Sequence, residues 1–153
     1  MIALRRTDSQ NQDFIDLVAL LNADLKMRDG EDNAFYSQFS KIDLIKHAVV
    51  AYDGEYPIGC GAIREYQPDR TEVKRMYVTP EGRGKGVATK ILAELESWAA
   101  ELGCRYCILE TGKRQPEAIA LYKKMGYRII KNYGPYAGVE NSVCFEKRIL
   151  RDI

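Results

Sequence analysis

The chain has 153 residues, 46% of them hydrophobic and 29% charged, and its 23 basic residues nearly balance its 22 acidic ones. This size and composition predict a single globular domain over 1–153, and the net charge of +1 argues against a nucleic-acid-binding surface. No apolar run of about 18 residues is present, and the polar start lacks a signal-peptide core. We therefore expect a cytoplasmic protein that binds neither membrane nor nucleic acid.

Hydrophobic periodicity and turn residues divide the chain into strands and helices. In chain order these are a strand at 2–6, helices at 14–30 and 32–45, strands at 47–52, 58–65 and 72–78, a helix at 87–102, a strand at 106–110, a helix at 115–126, and strands at 127–131 and 142–149. Asp53-Gly54 is a strong hairpin signal, and Pro116 and Gly103 suit a helix start and a helix end. The order predicts an α/β (α+β type) fold, with helices flanking a central mixed, mostly antiparallel sheet of about seven strands.

One helix and one pair of cysteines carry more specific expectations. The helix at 87–102 is predicted to bury one apolar face, formed by Val87, Ile91, Leu92, Leu95, Trp98 and Leu102. Cys104 and Cys107 have the spacing of redox and zinc sites, but no second ligand pair accompanies them and the only histidine is His47. If the following strand already includes Cys104, the two sulfurs point to opposite faces. We predict core cysteines in a reducing compartment, and no metal site.

The stretch 72–89 is the most informative part of the chain. An alternating strand ends at Thr79-Pro80, a basic turn with three glycines follows, and a helix begins at about Val87. Backbone N–H groups at a helix N-terminus lack helical partners, and the helix dipole there favours an anion. Glycine lets the backbone approach such an anion closely. The pattern predicts a phosphate-bearing ligand held by the main chain, although a plain surface turn would look similar.

Two common glycine motifs do not fit this turn, and a third does. A P-loop requires Ser or Thr after its lysine, but Lys85 precedes Gly86, and the dinucleotide fingerprint fails on its third glycine. The segment Arg83-Gly84-Lys85-Gly86-Val87-Ala88 instead fits Arg/Gln-x-x-Gly-x-Gly/Ala. It resembles the acetyl-CoA signature of the GNAT superfamily of N-acetyltransferases. The order of elements is also similar to that of the GNAT fold, so the resemblance covers nearly the whole chain.

The resemblance implies acetyl-CoA as co-substrate, with loop amides around its pyrophosphate and a strand segment beside its pantetheine arm. The implied cofactor-binding residues are Met76, Tyr77, Val78, Arg83, Gly84, Lys85, Gly86, Val87, Ala88, Thr89 and Gln115. An amide at or next to Met76 would stabilise the oxyanion, and Thr89 would add a hydroxyl. Gln115 stands where the family often has Asn, so that contact is shifted or lost.

Acetyl transfer to an amine requires a base for the ammonium and an acid for the leaving thiolate. Glu72 is the candidate base, because alternation places it on one strand face with Lys74, Met76 and Val78 and some GNAT enzymes have a glutamate here. Lys74 opposes that role, since a neighbouring cation favours the charged carboxylate. There are two alternatives to Glu72 as the base: a chain of water molecules removes the proton, or Glu72 is simply a solvent-exposed residue at the start of the strand. Tyr122 matches the tyrosine that acts as general acid in the family, or it simply caps the core.

The acceptor side of the site is less specific. Asp29, Glu31 and Asp32 would attract a cationic amine or serve as turn residues. Tyr133, Tyr136 and Phe145 would line the acceptor site or pack. The predicted function is acetyl transfer to a primary amine of a small-molecule or amino-acid-like acceptor. The alternatives are a non-catalytic acyl-CoA-binding or sensing module and a protein N-terminal or lysine acetyltransferase. The resemblance also admits a homodimer, although no residue pattern specifies an interface.

Overall fold

The computed structural model describes residues 1–30 and 45–150, with only the backbone of Asp29. The described strands are β1 (Ile2–Thr7), β2 (His47–Asp53), β3 (Tyr56–Gln67), β4 (Arg70–Val78), β5 (Tyr106–Gly112), β6 (Arg128–Ile130) and β7 (Ser142–Arg148). The described helices are α1 (Gln12–Asp29), α2 (Val87–Glu101) and α3 (Pro116–Lys124), with single 3-10 turns at Pro80–Gly82 and Gly134–Tyr136. Glu31, Asp32 and all but the last residue of the predicted helix at 32–45 lie outside the described residues.

The described strands form one seven-stranded sheet in the order β1-β2-β3-β4-β5-β7-β6. The β4–β5 pair is parallel, and the other neighbouring pairs are antiparallel. The prediction of a mixed, mostly antiparallel sheet flanked by helices is therefore confirmed. None of the described helices is long and apolar enough to cross a membrane.

The sheet is covered on both faces, and β2 shows this most clearly. Val49 and Ala51 pack in the core cluster on the α2 side, whereas Ala48 and Val50 pack in the cluster on the α1 side. All four are fully buried, as expected for a strand between two helical layers. The α2-side cluster also contains the buried residues Ile58, Ile63, Val73, Val87, Ile91, Leu92, Leu95, Leu109, Tyr122, Tyr127 and Phe145.

The end of α2 differs from the sequence expectation. Leu102 was predicted to be buried, but its side chain is 51% exposed because the helix ends at Glu101 and Leu102 serves as its C-cap. Gly103 follows with a φ of 88°, the left-handed conformation that a residue after a helix often adopts. Leu102 is therefore not part of the buried apolar face of α2, and the chain changes direction at the next residue, Gly103.

The cysteines are core residues. The four are free and buried, and Cys104 and Cys107 pack in the same α2-side cluster. β5 begins only at Tyr106, so Cys104 precedes the strand, and the expectation of opposite faces does not apply. Burial raises the pKa of the Cys107 thiol to about 12, which keeps it protonated at neutral pH.

A β-bulge in β4 sets the direction of the side chains that follow it. Ala62 of β3 pairs with Lys74 and Cys60 pairs with Tyr77, so Arg75 and Met76 together oppose Gly61. The bulge reverses the alternation: Met76 packs on the α2 side, whereas Tyr77 packs on the α1 side.

The prediction that Glu72, Lys74, Met76 and Val78 share one face is therefore wrong. Val73 and Val78 also pack on the α2 side, so Glu72 and Lys74 face the opposite side of the sheet. The extra residue at the bulge is the physical reason, because it shifts the two-residue period of the strand by one.

Candidate functional site

The parallel pairing of β4 and β5 is short, and a cavity opens where it ends. Arg70–Glu72 pairs with Tyr106–Ile108, and beyond that register both strands line a cavity of about 620 Å³. The β4 wall runs from Glu72 to Val78, and the β5 wall consists of Glu110, Thr111 and Gly112. The other walls come from α1, from the turn before α2 and the first turn of α2, from α3 with its N-cap, and from the 3-10 turn at Gly134–Tyr136. The residues are Leu21, Asp24, Leu25, Arg28, Gly82, Arg83, Gly84, Gly86, Val87, Ala88, Thr89, Gln115, Glu117, Ala118, Leu121, Tyr122 and Tyr136.

The glycine turn forms an uncapped helix N-terminus at this cavity. The N-cap residue Gly86 has a φ of 74° and no side chain to cap the helix, and Gly84 has a φ of 79°. A Cβ built at either glycine meets no atom within 4 Å, so the left-handed backbone, rather than crowding, explains these glycines. The first N–H groups of α2 therefore face the cavity without an N-cap side chain to accept from them, a suitable arrangement for an anion.

The start of the turn is held by hydrogen bonds and close packing. The Thr79 hydroxyl accepts a hydrogen bond from the Gly82 N–H at 3.2 Å. A Cβ at Gly82 would lie 3.0 Å from the carbonyl oxygen of Ile58 and 3.1 Å from Val78 Cγ1. Gly82 is thus a packing glycine, which holds the turn against the sheet. The Arg83 Nε donates to the Val78 carbonyl at 3.2 Å and ties the turn to the end of β4.

Ten of the eleven predicted cofactor-binding residues line the cavity, and Lys85 is the exception. Lys85 is half exposed, and its Nζ lies 3.7 Å from a carboxylate oxygen of Asp53. Gln115 lines the cavity as the N-cap of α3, where its carbonyl accepts hydrogen bonds from the N–H groups of Ala118 and Ile119. The structure thus brings the two separated sequence signatures to one cavity.

Glu72 lies in the wall of this cavity and is 7% exposed. The Tyr133 hydroxyl donates a 2.6 Å hydrogen bond to Oε2 of Glu72, and Lys74 Nζ lies 3.5 Å from Oε1. Burial and the charge of Glu72 raise the pKa of Tyr133, so this phenol remains a donor at neutral pH. Burial lowers the pKa of Lys74, and Glu72 opposes that change. The alternative of a solvent-exposed Glu72 does not hold.

Tyr122 is 6% exposed and enters the cavity from α3. Its ring packs at 5.8 Å from that of Tyr127 and 5.9 Å from that of Phe145, between ring centroids. Burial, with the charge of Glu110 as a second cause, raises the pKa of Tyr122. No hydrogen bond to its hydroxyl is formed within the described part of the chain. Tyr122 is therefore a protonated phenol that faces the cavity, not a tyrosine with its hydroxyl in bulk water.

Several cavity residues were missed from the sequence. Glu110 lines the β5 wall and accepts a 2.7 Å hydrogen bond from the Ser142 hydroxyl. The sequence did offer one indication of Glu110, because it is a charged residue within the apolar run that begins at Tyr106. Two of the aromatic residues expected near the acceptor differ in position. Tyr136 lines the cavity, whereas Phe145 is fully buried in the core.

Arg75 was also missed, and its backbone is unusual. Its φ is 61°, and no other non-glycine residue in 1–30 and 45–150 has a positive φ. Such a conformation costs a bulky residue about 1–3 kcal/mol and is found where the surroundings impose it, often in active sites. Arg75 is buried and lines the cavity, and burial lowers the pKa of its guanidinium. No sequence pattern indicated the bulge that creates this conformation.

The end of α1 and the start of α3 meet across the cavity. Arg28 of α1 pairs with Glu117 of α3 through Nη1 and with Asp24 through Nε at 3.1 Å. All three residues line the cavity, so this contact joins two of its walls. Within 1–30 and 45–150, no three His, Cys, Asp or Glu side chains are grouped so that they could hold a metal ion.

Comparison with known proteins gives consistent matches. Residues 14–127 match the model of the acetyltransferase (GNAT) family. The chain is 38% identical over 91 residues to the IAA acetyltransferase of Azospirillum brasilense, covering 59% of this chain and 60% of that protein. It is 38% identical over 109 residues to the uncharacterized N-acetyltransferase YjgM of Escherichia coli, covering 69% of this chain and 62% of that protein. The chain thus spans less than two thirds of the length of these two relatives.

Solved structures match over almost the whole chain. A protein from Klebsiella pneumoniae assigned to the acyl-CoA N-acyltransferases has a TM-score of 0.83 and 30% identity, covering 98% of this chain and 99% of that chain. The PaiA N-acetyltransferase of Thermoplasma acidophilum, solved with coenzyme A, has a TM-score of 0.72 and 17% identity, covering 97% of this chain and 99% of that chain. At that identity the second match shows the fold alone.

Proposed function

Because the chain belongs to the GNAT acetyltransferase family, we propose that it transfers an acetyl group from acetyl-CoA to a primary amine of a small-molecule or amino-acid-like acceptor. One observation carries the proposal: a single cavity brings together the uncapped N-terminus of α2, the buried carboxylate of Glu72 and the buried phenol of Tyr122. These are an anion site, a candidate base and a candidate acid. A cytoplasmic location belongs to the same proposal, and the four free cysteines fit it.

The residues present fit coenzyme A. The Gly84–Thr89 segment would hold the pyrophosphate with the N–H groups of α2, since anions bind at helix N-termini. The edge of β4 that faces the cavity, from Met76 to Val78, lies beyond the pairing with β5 and can pair with an extended arm. Acetyl-CoA would supply the thioester whose carbonyl carbon the acceptor amine attacks.

Tyr122 would serve as the proton donor. Its raised pKa keeps the phenolic proton in place at neutral pH, so the hydroxyl can donate a hydrogen bond that stabilises the thiolate as the C–S bond breaks. Because a free thiol has a pKa near 8.5, below that of this phenol, Tyr122 keeps or regains its proton once the thiol has left. Its ring contacts with Tyr127 and Phe145 fix the direction of the hydroxyl. A fixed, protonated phenol facing the cavity is what a general acid requires.

Glu72 would accept the proton from the acceptor ammonium. Oε2 is already engaged by Tyr133 and Oε1 faces Lys74, so the proton reaches Oε1 either beside Lys74 or through a water molecule. The direct base and the water chain are therefore both compatible with the position of Glu72. The N–H groups at the β4 bulge, next to Met76, remain the proposed oxyanion donors.

A panel of amines, amino acids and peptides, scored by thiol release from acetyl-CoA, tests the proposal. We expect release with at least one free small-molecule amine, and Tyr122→Phe should reduce kcat about a hundredfold while acetyl-CoA binding is retained. Tyr56→Phe is the matched control, because Tyr56 is 76% exposed and lies outside the cavity wall. Acetyl-CoA binding without thiol release would instead favour a sensing module, and release with peptides alone would favour a protein acetyltransferase.

A further inference from the structure

A cysteine on the neighbouring strand holds the bulge in β4. Cys60 of β3 is fully buried, and its thiol donates a hydrogen bond to the carbonyl oxygen of Arg75, with Sγ 3.3 Å from that oxygen. Burial raises the pKa of this thiol to about 12, so at neutral pH it keeps the proton that it donates. Arg75 has the positive φ of 61°, and the hydrogen bond therefore holds the backbone where β4 departs from regular pairing with β3.

The carbonyl of Arg75 shares a peptide unit with the N–H group of Met76, so the direction of one fixes that of the other. The bond between the two residues is trans, and in a planar trans peptide the C=O and the N–H point in opposite directions. The carbonyl points toward Cys60 on β3. The Met76 N–H therefore points away from β3, to the side of β4 on which the pairing with β5 ends at Glu72 and the cavity opens.

The Met76 side chain restrains the same peptide unit from the other face of the sheet. A Cβ built at Gly61, opposite the bulge, would lie 2.5 Å from Met76 Sδ, closer than two such atoms can approach. It would also lie 2.8 Å from Ile91 Cγ2 and 2.9 Å from Leu95 Cδ1 of α2. Glycine at this position thus lets the Met76 side chain fit between β3 and α2. The peptide unit is held by Cys60 on the α1 side and by Met76 on the α2 side.

We propose that Cys60 is a positioning residue for acetyl transfer: its thiol holds the Arg75–Met76 peptide so that the Met76 N–H donates to the thioester carbonyl oxygen and to the oxyanion that forms from it. This inference rests on the proposed acetyl transfer and assigns the oxyanion donor to one amide. Cys60 lies outside the cavity wall and acts only through that peptide. A donor whose direction is fixed before the reaction stabilises an oxyanion without having to reorganise.

Cys60→Ala and Cys60→Ser separate the hydrogen bond from packing. Both variants have a smaller side chain than cysteine, but only Cys60→Ser keeps a donor. Removal of an oxyanion donor costs about 10²–10³ in kcat, and Cys60→Ala keeps the amide but lets the peptide turn, so we expect kcat to fall about tenfold. The KM for acetyl-CoA should stay the same, and Cys60→Ser should restore most of the lost kcat. Equal losses in the two variants would overturn the inference, because they would come from packing alone.

Cys104→Ala is the matched control. Cys104 is also a buried free cysteine, but it lies before the start of β5 and outside the cavity wall. This substitution should destabilise the fold in urea unfolding, as Cys60→Ala does, and leave kcat at the wild-type value. A fall in kcat of the same size as in Cys60→Ala would mean that activity responds to any cavity in the core, and the inference would be wrong.

An infrared measurement reports on the assigned amide without turnover. Acetyl-CoA with a ¹³C-labelled thioester carbonyl is bound to the protein in the absence of an acceptor, and the carbonyl frequency is obtained from isotope-edited difference spectra. A hydrogen bond to the carbonyl oxygen weakens the C=O bond and lowers this frequency. We therefore expect a lower frequency in the wild type and in Cys60→Ser than in Cys60→Ala.

The outcomes distinguish the inference from the proposed function. The same carbonyl frequency in the wild type and both Cys60 variants would overturn the inference, while release of thiol from acetyl-CoA would leave the proposed acetyl transfer in place. A wild type that does not bind acetyl-CoA would contradict the proposed function and the inference together.

Discussion

The Tyr133 hydroxyl donates a 2.6 Å hydrogen bond to Oε2 of Glu72 and so fixes a carboxylate of the cavity from a loop 61 residues further along the chain. The ring of Tyr133 is itself packed at 5.1 Å from that of Tyr66 and 5.9 Å from that of Tyr136, between ring centroids. The loop before β7 thus acts as a support for the candidate base.

The first prediction concerns this hydrogen bond. Tyr133→Phe removes the donor but keeps the ring, so it should lower the free energy of unfolding by about 1–3 kcal/mol, the cost of an unsatisfied buried acceptor. Because Glu72 is then less well oriented, we expect kcat for acetylation to fall about tenfold with the KM for acetyl-CoA unchanged. Urea unfolding and steady-state kinetics measure the two effects.

Tyr66→Phe is the matched control for Tyr133→Phe. The Tyr66 ring packs on Tyr133, but its hydroxyl makes no hydrogen bond within the described part of the chain. Its loss should therefore leave kcat at the wild-type value. A similar fall in kcat for both variants would mean that the loss of either hydroxyl lowers activity, and that the bond to Glu72 has no specific role.

The local features of this fold were predictable because short-range patterns determine them. The hydrophobic period located the described helices and strands, and the Arg83–Ala88 segment located an uncapped helix N-terminus at the cavity. Gly103 likewise has the left-handed backbone expected after a helix. In each case neighbouring residues along the chain supply the physical cause.

The relationships that shape the site were not predictable, because they depend on pairing between distant residues. The bulge at Arg75 arises from the register of β4 against β3, and it reverses every later side chain of the strand. The bond from Tyr133 to Glu72 requires the turn before β7 to pack beside β4, which no local pattern encodes. Side-chain direction in the candidate site therefore had to come from the structure.

A second prediction separates the role of Gly86 from its backbone strain. Gly86→Val and Gly103→Val each place a branched side chain at a positive φ, of 74° and 88°, so each should destabilise the fold by at least about 1–2 kcal/mol. Only Gly86→Val also disturbs the helix N-terminus at the cavity, and it should weaken acetyl-CoA binding at least about tenfold. Equal protection of both variants by acetyl-CoA in a thermal unfolding assay would show that this turn does not hold the cofactor.

A third prediction concerns stability at alkaline pH. Burial raises the pKa of Tyr122, Tyr127, Tyr133 and Tyr136 above the ordinary value near 10. Above that pH the unfolded chain loses protons that the folded chain keeps, so their contribution to stability is complete below about pH 10 and declines as the pH rises further.

The tyrosinate absorbance, followed together with circular dichroism, measures this effect. A fraction of the tyrosines should ionise only when the fold is lost, and Tyr127→Phe should reduce the amplitude of that late step. If all ten tyrosines ionise near pH 10 while the circular dichroism remains native, the burial of these four hydroxyls is not maintained in solution.

A fourth prediction uses the positive φ of Arg75 to test the bulge itself. Arg75→Gly and Arg75→Ala both remove the guanidinium, so the difference between the two variants reports the backbone alone. At a φ of 61° glycine is unstrained, and we expect the glycine variant to be more stable than the alanine variant by about 1 kcal/mol in urea unfolding. In a regular strand the order is reversed, because glycine loses more conformational entropy on folding. An alanine variant as stable as the glycine variant would mean that β4 returns to regular pairing, in which case Met76 and Tyr77 would exchange faces and the cavity wall would change.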